Sequence, residues 1–221
     1  MMKIRYLIYI LIFVLLAGAM TAYYFLKIAR PKSSSSATAT ATATLTSSPT
    51  PQTTASLSAY ALPVAEFRSR VTKKPFGIYI TPQNSPVQPE RFTGYHTGAD
   101  AEYQDVTDDV PVYAIADGKV VLSETASGYG GVFMISFNLN DTQHTALYGH
   151  IRPSSLPKDG TTFNKGDRLG LLGTGYSSEA GGERRHLHFA VLSDDRIDIK
   201  GYVQSRNELS SWIDPLTILG N

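Results

Sequence analysis

The run Arg184-Arg185-His186-Leu187-His188-Phe189-Ala190-Val191-Leu192 constrains this chain more than any other segment. Its apolar and β-branched residues predict a strand. Side chains alternate faces along a strand, so His186 and His188 point the same way, about 6.5–7 Å apart along the backbone. That separation is too long for both rings to clamp one metal ion unless the strand bends. It suits one ligand and one imidazole standing beside it. The chain holds only five histidines. Two others lie in Gly94-Tyr95-His96-Thr97-Gly98-Ala99-Asp100 and Leu147-Tyr148-Gly149-His150, while His144 reads as a hairpin residue.

From Tyr60 onward the chain is a series of short β-rich runs between turn signals. Val112–Ala116 and Lys119–Ser123 flank Asp117-Gly118, a two-residue hairpin signal. Val132–Phe137 and His144–Tyr148 flank a longer connection, Asn138-Leu139-Asn140-Asp141. Arg168–Leu172 and His186–Leu192 add two more strands. Helical periodicity is nearly absent, apart from a capping box at Ser205-Arg206-Asn207-Glu208 that predicts one short helix through Trp212. The expected fold is all-β, an antiparallel sandwich-like sheet stack occupying residues 60–221.

The N-terminal quarter is different. Tyr6–Leu26 carries no charge and is long enough to cross a bilayer. Lys3 and Arg5 precede it and Lys27, Arg30 and Lys32 follow, so flanking charge does not fix its orientation. Residues 1–32 read as an uncleaved membrane anchor, or as a signal peptide cut after Ala17-Gly18-Ala19. The apolar run continues past that site and favours the anchor. Residues 33–59 are almost all Ser, Thr, Ala and Pro. They bury too little apolar surface to offset ordering and read as a disordered tether with an r.m.s. reach of roughly 25–30 Å.

Charge divides along the same line. Five of the 20 Lys and Arg precede residue 33, and all 19 Asp and Glu follow residue 60. The globular part is therefore mildly acidic, which argues against nucleic acid as a partner, since that would want a basic face. With no cysteine, thiolate ligands, thiol nucleophiles and disulfides are excluded.

His96-x-x-x-Asp100, Gly149-His150 and His186-x-His188 follow one another in the order found in the M23 peptidases, and the chain resembles these LytM/lysostaphin-like zinc endopeptidases of bacterial cell walls. Val110-Pro111-Val112-Tyr113-Ala114-Ile115-Ala116-Asp117-Gly118-Lys119-Val120-Val121 and Lys165-Gly166-Asp167-Arg168-Leu169-Gly170 resemble the family's supporting frame, and Asp214-Pro215-Leu216 its terminal segment. The resemblance covers about residues 75–219. It implies that His96, Asp100 and His188 are zinc ligands, and that His150 and His186 flank the open side as catalytic groups. One would take a proton from water and both would hydrogen-bond the developing oxyanion.

The implied substrate is the peptide part of peptidoglycan, cut in stem peptides or cross-bridges. The implied place is outside the cytoplasm, tethered through the N-terminal helix or secreted after cleavage. The alternative is a non-catalytic zinc-binding envelope protein that docks or activates other wall hydrolases. Ala190 stands where many members have Glu, and Ser177–Arg185 is longer and more charged than usual. Both departures are expected at the groove rim, with Arg184 and Arg185 available to meet peptide carboxylates.

Overall fold

The computed structural model describes residues 59–219. The expected anchor over residues 6–26, and the tether up to residue 58, lie outside them. Among the described residues no helix is long and apolar enough to cross a membrane. The strands are β1 (Tyr79–Ile80), β2 (Gly94–His96), β3 (Ala99–Glu102), β4 (Pro111–Tyr113), β5 (Gly118–Ala126) and β6 (Gly130–Leu139), then β7 (Thr142–Ile151), β8 (Thr162–Phe163), β9 (Arg168–Leu171), β10 (His186–Leu192), β11 (Tyr202–Val203) and β12 (Trp212–Ile213). Three one-turn helices complete the set: α1 (Phe67–Arg70), α2 (Arg206–Leu209) and α3 (Pro215–Ile218).

The antiparallel all-β expectation holds. The main sheet has seven strands in the order β12-β10-β7-β6-β5-β8, with β3 also paired to β10. Smaller sheets, β1-β2-β11 and β4-β9, accompany it. The central strands are apolar on both faces. On one face Phe133, Tyr148 and Phe189 join the larger core with Phe67. The Phe133 and Tyr148 rings stack at 4.5 Å, and Phe189 meets Tyr148 edge-on at 5.0 Å. Each such pair adds about 0.5–1.5 kcal/mol beyond its buried area. On the other face Val132, Met134, Leu147, Ala190, Leu192 and Trp212 form a second cluster. The even-numbered residues of β10 face this second cluster, and so do His186 and His188.

Two local expectations are corrected. Asp117-Gly118 does not turn a hairpin: β4 pairs with β9, while β5 pairs with β6 and β8. The Asp117 carboxylate accepts from the Lys165 amide at 2.7 Å, and Ala114 exchanges backbone bonds with Gly166 and Asp167. The 164–167 turn thus takes up the groups a hairpin would have used, and the chain passes to another sheet. Gly118 serves close packing, since a Cβ there would lie 2.1 Å from the Ser136 carbonyl. The capping box forms as expected, but α2 stops at Leu209. Trp212 lies opposite Leu192 in β12, so sheet pairing overrides a further helical turn.

Candidate metal centre

Three strands deliver three donor atoms to one point. His96 ends β2, and only Thr97 and Gly98 separate it from β3, which carries Asp100. Asp100 lies directly opposite His188 in the β3–β10 register. His96 Nε2 and His188 Nδ1 stand 3.1 Å apart, and Asp100 Oδ1 lies 3.2 Å from the first and 3.0 Å from the second. All three residues are buried, and they could hold a metal ion. His96 Nδ1 faces the Pro75 carbonyl at 3.2 Å. A carbonyl only accepts, so Nδ1 carries the proton and Nε2 turns its lone pair to the centre. Burial acts to raise the Asp100 pKa. His96 and His186, with hydrogen bonds from His188 and His96, outweigh it and hold the carboxyl well below its ordinary range.

His150 reaches the same place by a backbone irregularity. In the β6–β7 ladder Gly131 pairs with Ile151 and Val132 with Gly149, which leaves His150 as the unpaired residue of a β-bulge. It has φ +62°, in the left-handed region a side chain seldom adopts. Its Nδ1–H donates to the Ala180 carbonyl at 3.0 Å, and its own carbonyl accepts from Gly173 N–H at 2.9 Å. The neighbouring Gly149 has no room for a side chain: a Cβ would sit 2.5 Å from the Tyr129 ring. The His150 and His186 rings lie face to tilted face, with centroids 4.1 Å apart. Burial pushes the His150 pKa down to about 3 and that of His186 well below its ordinary value, so both are neutral imidazoles at pH 7. Both line a cleft of about 420 Å³ that also holds the three donors, Tyr129 and Tyr202.

The family model described as Peptidase family M23 matches residues 94–199, a span that contains all five of these positions. Residues 94–199 are a peptidase family M23 domain. Solved structures similar to it include Csd3 of Helicobacter pylori, with 22% identity over 67% of this chain and 35% of that one and a TM-score of 0.41. LytU has 24% identity over 66% and 81% of the two chains, with a TM-score of 0.42. The SpoIIQ–SpoIIIAH pore-forming complex gives 19% identity over 74% and 92%, with a TM-score of 0.47. This chain therefore spans about a third of the Helicobacter protein's length, 35%. No curated protein sequence matches it.

Of the M23 sequence departures, Ala190 and Arg185 do not line the cleft, whereas Glu183 and Arg184 of the 177–185 loop do. Ala190 is fully buried in the second apolar cluster, with its Cβ 3.0 Å from where a Gly98 Cβ would stand. Arg184 has a side chain only 1% exposed and is bound to Asp100 and Glu102, so it is not available to a substrate. Arg185 is also buried and donates from Nη1 to the Val106 carbonyl at 2.6 Å. The 177–185 loop is part of the site for another reason: its 3₁₀ turn at Ser178–Ala180 carries the carbonyl that holds His150.

Sequence reading placed Arg184 at the groove rim as a partner for peptide carboxylates and gave Glu102 no role. Strand alternation carried the missing signal, because residues 184, 186 and 188 share one face just as 100 and 102 do. Tyr202 and Lys74 were missed too. The Tyr202 ring lies 5.2 Å from that of His96, and its hydroxyl accepts from Lys74 Nζ at 2.9 Å. Lys74 is itself paired with Glu90 at 2.5 Å. No local pattern marks these two residues.

Proposed function

We propose that this M23 chain is a zinc-dependent endopeptidase that hydrolyses peptide bonds in the stem peptides or cross-bridges of peptidoglycan. What carries the reading is the convergence of His96 Nε2, Asp100 Oδ1 and His188 Nδ1, 3.0–3.2 Å from one another, beside two neutral histidines in an open cleft. Donors about 2.0–2.1 Å from a tetrahedral zinc ion stand roughly 3.3–3.4 Å apart, and two imidazoles with one carboxylate are a donor set zinc takes with one position left open. Bound there, zinc supplies a Lewis acid that acidifies water and polarises a peptide carbonyl.

The chain's own groups do the rest. His150 and His186 each donate Nδ1–H to a backbone carbonyl, of Ala180 and Arg184 respectively. Each therefore has an unprotonated Nε2. A neutral imidazole of this kind accepts the proton of an attacking water. Once protonated, the same nitrogen becomes a donor to the oxyanion and then to the leaving amine. Packing of the two rings at 4.1 Å disfavours charging both at once, so one acts as base while its neighbour stays neutral.

The apolar run at residues 6–26 and the tether at 33–59 support a membrane-anchored enzyme working outside the cytoplasm on a layer some distance away. Purified peptidoglycan incubated with the full chain should release peptide fragments, identified by mass spectrometry. Chelation should stop release and zinc should restore it. Intact wall after incubation with zinc-loaded protein would sink the proposal. Protease shaving of intact spheroplasts should cut within residues 33–59, and a protected domain would reverse the topology.

A further inference from the structure

Arg184 precedes β10 and lies under the metal centre with a side chain 1% exposed. A guanidinium carries five N–H donors in a rigid plane. Nε faces the two Glu102 oxygens at 3.0 and 2.9 Å, and Nη2 reaches Glu102 Oε1 at 2.7 Å. Nη2 also donates to Asp100 Oδ2 at 2.7 Å. That leaves Oδ1 as the Asp100 oxygen facing His96 and His188. The backbone of Arg184 has a second task, since its carbonyl accepts from His186 Nδ1–H at 2.8 Å.

The charges explain why a cation is needed here. Asp100 and Glu102 project from the same face of β3, buried side by side, and two unpaired carboxylates there would each carry a large desolvation cost. A lysine would meet the charge requirement as well as an arginine. Only the planar fork spans both carboxylates while fixing which oxygen of Asp100 is engaged.

We propose that Arg184 is the positioning residue of this centre. Its guanidinium holds Asp100 to ligation through a single oxygen, and its carbonyl sets the His186 tautomer that leaves Nε2 unprotonated, 3.4 Å from Asp100 Oδ2. The proposal rests on the metal reading given above and adds to it a residue that touches neither metal nor substrate.

The test is cobalt(II) substitution in the full chain, read by visible absorption and by competition with a chelator of known affinity. Arg184→Lys keeps the charge and loses the fork. It should melt near the wild-type temperature, bind metal roughly 10–100-fold more weakly, the usual scale for lost outer-shell partners, and show weaker visible bands as the freed Oδ2 adds to the coordination number. The double variant Arg184→Met/Glu102→Gln removes the cation together with one buried anion. It gives the same readout should Arg184→Lys not fold, and it should show the same spectral change. Wild-type affinity and an unchanged cobalt spectrum in either folded variant would mean that charge neutralisation alone suffices, and would overturn the proposal. A wild-type chain that takes up neither cobalt nor zinc would take down the metal reading along with it. Wild-type uptake with unaltered variants sinks this inference alone.

Discussion

At one end of the β6–β7 ladder Asn140 and Asp141 have φ of 49° and 64°, and at the other end His150 has 62°. The same unfavourable backbone region is used for opposite purposes. Asn140-Asp141 is exposed and closes a two-residue loop of the type I′ kind, whose twist matches the strands it joins. The whole device is local. His150 is buried, unpaired in the ladder, and held by Ala180 and Gly173, 30 and 23 residues away in sequence. A left-handed non-glycine residue costs about 1–2 kcal/mol. At the hairpin the closed ladder offsets it. At the centre two hydrogen bonds, about 1 kcal/mol each, offset it, and the bulge aims an imidazole that a regular strand would turn away. Strain at a turn serves the backbone, whereas strain at the bulge serves a side chain.

The sharpest break of this comparison is His150→Gly, which removes the strain and the imidazole together. Turnover of wall peptides should fall by roughly 10²–10⁴-fold, the range for lost acid–base help, while zinc content stays at the wild-type level. His150→Ala should lose as much turnover but melt lower than His150→Gly, because alanine keeps the unfavourable φ. Turnover within a few-fold of wild type in either variant would remove His150 from the chemistry.

Gly181→Ala tests the loop that holds the bulge. Gly181 has φ +63°, and a Cβ there would stand 2.5 Å from the Gly128 backbone. The substitution should displace the Ala180 carbonyl from His150 and lower kcat by roughly 10–100-fold, the scale of a misplaced catalytic group. Metal uptake should not change. A rise in KM with kcat unaltered would return the loop to the role of substrate rim.

What the sequence disclosed follows the same division between local and distant causes. His96, Asp100, His150, His186 and His188 were legible because each sits in a short motif and because alternation puts the two histidines of β10 on one face. A hairpin at Asn138–Asp141 was legible, but as a longer connection; the strands run two residues further than expected and leave only Asn140-Asp141 as the loop. The bulge at His150 was not, since nothing near it in sequence demands an extra residue; its cause is a carbonyl 30 residues away. Arg184 and Arg185 looked like one charged surface pair because burial is not written in a dipeptide. Their paired carboxylate and carbonyl partners lie some 80 residues earlier in the chain. Asp117-Gly118 failed for a related reason, as a distant turn at 164–167 claimed its bonds.

Acid should act on the bulge end more than on the hairpin end. His150 and His186 have folded pKa values below the unfolded value of about 6.5, with His150 near 3. Between those limits the unfolded chain binds more protons than the folded one, so stability is fully present above about pH 6.5 and is lost as pH falls toward 3. The lowered Asp100 pKa acts in the same direction at the acid end of that window. Thermal melts of chelated protein should drop steadily through this range. His150→Gly should flatten the slope, while a substitution at Asn140-Asp141 should leave it as it is. An unchanged slope in His150→Gly would show that other groups carry the acid sensitivity.

The smallest expected effect lies at the hairpin. Asp141→Gly removes a left-handed non-glycine residue and creates the Asn-Gly pair that type I′ loops favour. Relief of roughly 1–2 kcal/mol is opposed by the roughly 0.5–1 kcal/mol of extra entropy that glycine loses on folding. The balance is a gain of about 0.5 kcal/mol, and for a domain of this size that raises Tm by roughly 1–2 °C. No catalytic group depends on this loop, so kcat and zinc affinity should match the wild type. Calorimetry and a wall-digestion assay on the same preparation decide the matter. A lower Tm would show that the Asp141 side chain stabilises the loop in its own right. A loss of turnover would show that the two ends of the ladder are coupled, and that the division between backbone strain and side-chain strain does not hold for this sheet.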